Sequence, residues 1–285
     1  MKIDIQSFAE REHDLLERRK WGDFWVQKHL EIEFELLGCE VGPGDCLLYL
    51  YGLPMPVRPA RRKIAWVYSH PDRCDFDFLK QFDKVYCLSD FFAPELEKHG
   101  IHAEIMLGAT NRAPVSVPIQ HDIVFVGNSR ANVGRAIIND LYAGHLENPL
   151  PYSVEIWGWG WDKHPWYAGP YYPNEELGRL YASSAISLND HHTDMSRWGF
   201  VAVKLFDILA SGGFALSDTN RGIFPLFGER VPQYKSKREL RALVDHYMGH
   251  PETRAKTVAG GVQIATTCSW KLRAETLMRA FEELA

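Results

Sequence analysis

No stretch of this sequence approaches the roughly 18 successive apolar residues that a membrane-spanning helix requires, and Met1 to Glu10 shows no charged leader followed by an apolar run. The expectation is a cytoplasmic protein without stable membrane insertion. Paired cysteines are missing too. Cys39, Cys46, Cys74, Cys87 and Cys268 are odd in number and form no Cys-x-x-Cys, which argues against a zinc knuckle or a disulfide framework. Several lie in apolar runs and read as small core residues in a reducing compartment. An excess of positive charge is also absent. With 32 basic and 37 acidic residues the chain carries a formal −5, so no global field draws nucleic acid to it, although Arg58, Arg61, Arg62 and Lys63 form a local basic run suited to phosphate. Nucleic acid is not an expected partner. Internal repeats and low-complexity tracts are lacking as well.

What is present is globular: 285 residues, 46% hydrophobic, 24% charged, with nine tryptophans, enough for two medium domains that each bury a core. Short apolar runs alternate with helix-period segments, the pattern of parallel strands buried beneath crossover helices. In the first half the strands are expected at Lys2–Gln6, Cys46–Tyr51, Ile64–Tyr68, Lys84–Leu88 and Glu104–Leu107, with helices over Phe24–Leu37 and from Asp90 to a stop at Gly100. Two prolines within Ala113–Pro118 stop helix and central strand alike and mark a linker. Beyond it come strands at Asp122–Val126, Val154–Trp157, Ala185–Asn189 and Phe214–Ser217, and helices from about Val133, from an Asn174 N-cap to Ala182, and over Phe200–Ala210. Ser236-Lys-Arg-Glu239 is a capping box, and Trp270–Leu284 reads as a last amphipathic helix. The expected division is 1–115, 120–268, and a C-terminal helix 269–285 that packs back across the domain junction.

Several segments carry residues suited to chemistry. Gly127-Asn128-Ser-Arg130 lies where a strand meets a helix, where glycine permits close backbone approach and free N–H groups meet an anion; an ordinary turn explains it equally. Lys204 and Asp207, three apart, share one helical face ahead of the Gly212-Gly213 stop. A cation there neutralises a diphosphate and a carboxylate accepts both hydrogen bonds of a ribose diol, while the plain alternative is a surface ion pair. In Trp157-Gly158-Trp-Gly-Trp161 aromatics alternate with glycines beside a strand end, suited to a nucleotide base or to packing.

These motifs resemble the C-terminal domain of GT-B-fold glycosyltransferases, in the CgeB-like, group 1 branch. The pattern is a basic residue, two positions, an acid, then Ala-x-Gly, met by Lys204, Phe206, Asp207, Ala210 and Gly212. Phe125-Val-Gly-Asn128, Ile156-Trp-Gly158, Leu188-Asn189 and Ser269-Trp-Lys-Leu-Arg273 extend it, from about Asp122 to the end. The family usually has Arg and Glu where this chain has Lys204 and Asp207, and lysine replaces a bidentate fork by a point charge. A histidine is the family's residue at Cys268, and related enzymes carry a Glu at the position of Gly199.

The resemblance implies two Rossmann-like α/β domains with a donor/acceptor cleft between them. It further implies transfer of a sugar from a UDP-, GDP- or dTDP-sugar to a hydroxyl of a glycan, a lipid-linked or a small-molecule acceptor, with no metal expected. Asp207 would hold the ribose and Lys204 the diphosphate, with Tyr172, Asn189, His191, His192 and Arg197 around the donor. His70 or Asp72, past the end of a first-half strand, would be the general base. A solvated loop is the plain reading of His191 and His192, and a helix cap that of Asp72. Asp75-Phe-Asp77 is an Asp-x-Asp, but acids favoured at a helix start account for it. Two rival functions remain: a nucleotide-sugar-binding module that has lost turnover, and an epimerase or phosphorylase on the same scaffold.

Overall fold

The computed structural model describes residues 1–130 and 134–285, with the Ile264 side chain left aside. It is α/β, with two sheets in which every strand pairing is parallel.

The first sheet holds β1 (Lys2–Ser7), β2 (Glu40–Val41), β3 (Cys46–Tyr51), β4 (Arg62–Val67), β5 (Lys84–Cys87) and β6 (Ala103–Ile105), in the order β2-β1-β3-β4-β5-β6. The central position of β3 follows from its composition: all six residues of Cys-Leu-Leu-Tyr-Leu-Tyr are buried, as a strand covered on both faces demands. The outer strands β2 and β6 have two and three residues. Short edges of this kind offer little unpaired backbone to other chains. Chain order reverses between β1 and β3.

The second sheet holds β7 (His121–Val126), β8 (Val154–Trp157), β9 (Tyr167–Gly169), β10 (Ser184–Asn189), β11 (Ala215–Asp218) and β12 (Gln233–Tyr234), ordered β12-β11-β10-β7-β8-β9. This is the dinucleotide-fold order 3-2-1-4-5-6, read from the other edge, and its switch point lies between β7 and β10. Ile123, Phe125, Ile156, Ile186, Leu188 and Leu216 form the centre of its core under Ile137, Ile138 and Leu141 of the helix Ala136–Glu147.

The units are not simple halves of the chain. One comprises Met1–Ala109, His192–Val201 and Cys268–Ala285; the other comprises Thr110–His191 and Ala202–Thr267. The late segment is integral to the first unit. Trp270 is 1% exposed, stacks on His29 and meets Trp66 edge to face. Arg273 donates to the carbonyls of Leu107 (2.7 Å) and Gly108 (3.2 Å), and Arg62 donates to the Phe281 carbonyl.

The strands at Cys46–Tyr51 and Val154–Trp157 occupy the expected residues, and the others lie within about two of them. Three expectations change. The segment expected as one helix over Phe200–Ala210 follows a separate helix, Thr193–Trp198, stopped by Gly199, and the next helix starts only at Val203. Asn174 is not the cap: it lies inside a 3-10 turn after Pro173, and its Oδ1 accepts from Arg112 instead. Ser236 does cap its helix by accepting from the Glu239 amide, but Glu239 accepts from the Lys235 amide rather than that of Ser236. Val133 lies outside the described residues; the helix there is described from Ala136.

Candidate active site

The switch point of the second unit is built from the ends of β7, β10 and β11. After β7, Gly127 donates its amide to the Trp157 carbonyl (2.8 Å), Ser129 donates to Trp159, and Asn128 Oδ1 accepts from the Trp159 amide. The Arg130 amide donates to Gly134. The amides of Gly127, Ser129 and Arg130 are therefore engaged within the protein. These three amides are not open to an anion, so side chains carry the larger part of the anion affinity argued for this loop.

Gly158 makes this close zipper possible. Its φ is +151°, and a Cβ on it would stand 2.3 Å from the Gly127 carbonyl oxygen. Next to it the Trp157 ring meets Tyr172 edge to face at 5.0 Å, and its buried Nε1 has no hydrogen-bond partner. Burial raises the Tyr172 phenol pKa.

After β10 comes Asp190, with a fully buried carboxylate that faces Arg130 (3.3 Å) and Arg135 (3.0 Å). Arg130 also donates to the His191 carbonyl. Burial holds Arg135 down to about 10. The third cation is Lys204, in the first turn of the helix Val203–Ala210. Its Nζ is buried, lies 4.4 Å over the Phe125 ring and has no hydrogen-bond partner. Burial first, then Arg135, bring its ammonium down to about 7, against the pull of Asp190. Three cations thus share the site with Asp190 and Asp218, leaving an excess of one positive charge when all are ionised.

Asp207 lies on the same helix but serves another cluster. Thr110 donates to its Oδ1 at 2.6 Å, Arg112 Nε stands 3.9 Å away, and burial raises the carboxyl pKa. His191 is wholly buried: Nδ1 is 2.6 Å from Asp218 Oδ1, and Nε2 accepts the Ala202 amide. Neither ring nitrogen is left for a ligand. Asn189 donates to Ser217, and its buried Oδ1 has no partner.

The remaining predicted residues gather in the first unit, past the ends of β4 and β5. Asp72 Oδ1 accepts from Arg197 and from Trp198 Nε1 (2.9 Å), and Ser89 donates to the Trp198 carbonyl. The His70 ring lies 5.0 Å from that of His192, with Nδ1 3.0 Å from Ser69 Oγ. Among the described residues His70 is the one non-glycine in the left-handed region, at φ 54° and ψ 53°. A residue before proline ordinarily stays extended, so this conformation is held at a local energetic disadvantage of about 1–3 kcal/mol.

The basic run at 58–63 forms no shared patch: Arg58 pairs with Asp4 and Glu10, and Arg62 turns to Phe281. Asp75 caps its helix through the Phe78 amide and Asp77 pairs with Lys80. Among the described residues no group of three or more His, Cys, Asp or Glu comes together to hold a metal ion, and no helix is long and apolar enough to cross a membrane.

Residues 136–279, just over half of the sequence, match the glycosyl transferase-like family. The chain belongs to that family. Solved structures of glycosyltransferases share its fold along its whole length. Sucrose-phosphate synthase from Thermosynechococcus elongatus superposes with a TM-score of 0.70 at 11% identity, over 99% of this chain and 98% of the other. AviGT4, a glycosyltransferase involved in avilamycin A biosynthesis, gives 0.62 at 16% identity over 99% and 97%. T4 phage β-glucosyltransferase, in complex with UDP and Mn2+, gives 0.61 at 12% identity over 100% and 99%. No curated protein matches the sequence. The fold of this glycosyltransferase is GT-B, with two Rossmann-like domains.

Of the residues in these two clusters of the glycosyltransferase, the sequence singled out Lys204, Arg130 and Asp207 but not Arg135, Asp190, Asp218, Thr110 and Arg112. Asp190 and Asp218 had a readable signal: each carboxylate ends or directly follows a buried parallel strand, on the edge where ligands gather. Thr110 and Arg112 had none, because their role depends on meeting a helix nearly a hundred residues later.

Proposed function

We propose that this glycosyltransferase moves a sugar from a nucleoside-diphosphate-sugar to an acceptor hydroxyl, with the donor on the second unit. The observation that carries the reading is Lys204: a buried amine without a hydrogen-bond partner, beside two arginines, at the switch point of a dinucleotide-type sheet. A diphosphate supplies the negative charge and acceptor oxygens that this cluster lacks.

In this reading Lys204, Arg130 and Arg135 offset charge on the departing diphosphate as the anomeric C–O bond breaks. They provide in side chains what a divalent ion supplies elsewhere, so transfer proceeds without an obligate metal. Asp207, held by Thr110, takes the ribose hydroxyls. Trp157 and Tyr172 flank the base. His70 receives the acceptor proton as the new C–O bond forms. It is favoured over Asp72 because Asp72 Oδ1 already takes two donors.

The test is thermal stabilisation by UDP, GDP, dTDP and ADP, with and without EDTA, since a ligand of the native state raises Tm by mass action. A selective shift that persists in EDTA and is lost in Lys204→Ala and Asp207→Ala is expected. No shift with any nucleotide at millimolar concentration would overturn the donor assignment.

A further inference from the structure

The second unit is interrupted by a ten-residue excursion, His192–Val201, that belongs to the first. The chain leaves at His191 and returns at Ala202. His191 itself closes the neck: its Nε2 accepts the Ala202 amide at 3.0 Å. A ring nitrogen that accepts carries no proton, so the proton of a neutral imidazole sits on Nδ1 and is donated to Asp218 Oδ1, 2.6 Å away. Asp218 is fixed in turn, because its Oδ2 accepts the His191 amide and Ser217 Oγ lies 3.0 Å from its Oδ1. One imidazole therefore ties the ends of β10 and β11 to the start of the helix that carries Lys204.

Among the described residues that helix has no side-chain cap of its own. Ala202 is its N-cap residue and has no side-chain oxygen with which to cap it. Lys204 follows two residues later. A small displacement at a charged subsite lowers affinity even when every charged group is retained.

We infer that His191 is a positioning residue for the donor diphosphate, acting through the Ala202 amide to fix Lys204. This rests on the donor-site reading above. The two arms of the imidazole are separable by substitution. In His191→Gln the side-chain carbonyl reaches the Nε2 position and can accept the Ala202 amide. In His191→Asn the side chain reaches only the Nδ1 position, keeps the bond to Asp218 and loses the neck.

The experiment measures, for wild type and both variants, the Kd of whichever of UDP, GDP, dTDP and ADP shifts the wild-type melt most, together with Tm and hydrogen exchange at the Ala202 amide. Loss of the neck is expected to weaken nucleotide binding about 10-fold in His191→Asn, on the scale of one buried donor left unpaired, with fast exchange at Ala202. His191→Gln is expected to restore binding to within about twofold and to slow that exchange. A purely structural histidine would lower Tm in both variants and leave both Kd values alike; equal Kd values overturn the inference while the donor reading stands. If wild type binds none of the four, the donor reading falls and this inference with it.

Discussion

Replacing Lys204 by methionine should stabilise the protein while abolishing nucleotide binding. An amine carried from its ordinary 10.5 down to about 7 corresponds to on the order of 5 kcal/mol, at about 1.4 kcal/mol per tenfold. Below pH 7 both folded and unfolded chains hold the proton, and the full burden of a buried ammonium falls on the folded state. Between about 7 and 10.5 the unfolded chain binds more protons than the folded one, so stability rises with pH. Lys204→Met fills nearly the same volume and removes the charge. Its advantage is therefore largest at pH 6 to 7 and narrows steadily toward pH 10. At about 2–4 °C per kcal/mol the gap in Tm is on the order of 10 °C at pH 6.5. Melts of both proteins across pH 6 to 9.5 provide the assay, and comparing them cancels groups that titrate in both. A variant less stable than wild type at pH 6.5, or a gap that does not shrink with pH, would mean that the folded state bears no such burden at Lys204.

Two further outcomes follow from the geometry. Gly158→Ala must place a Cβ against the Gly127 carbonyl at a φ that L-residues rarely adopt; a loss of about 2–3 kcal/mol is expected, read from denaturant unfolding, together with weakened nucleotide binding. His70→Gly removes a left-handed histidine and the proposed base together: Tm should hold or rise, kcat should fall about 100-fold or more, and nucleotide Kd should stay unchanged. Retained turnover would exclude His70 as the base.

Much of the fold was legible because buried parallel strands are apolar runs bounded by turn residues; Cys46–Tyr51 is apolar throughout, and the short Val154–Trp157 is apolar but for Glu155. The edge strands Glu40–Val41 and Gln233–Tyr234 were not, since two residues carry no periodicity and exist only by pairing. Lys204 was legible as a cation on a helix, but nothing in its neighbours announces that it is buried over Phe125. Spacing suggested that Lys204 and Asp207 share one face. The structure gives each its own cluster, because Thr110 and Arg112 approach only the second. His191 looked like a loop ligand because a histidine after a strand end is usually accessible; its burial depends on Asp218 and Ala202, neither adjacent in sequence.

The three-part make-up of the first unit sets an order of assembly during synthesis. Synthesis follows the order of the chain, and the last residue of the second unit, Thr267, is made before any of Cys268–Ala285. The unit begun first is thus the last to close. Until Trp270 arrives, one flank of Trp66 and His29 stays open, and the Leu107 and Gly108 carbonyls wait for Arg273. A ribosome halted before residue 268 holds a second unit complete in chain beside a first unit that still lacks its closing helix.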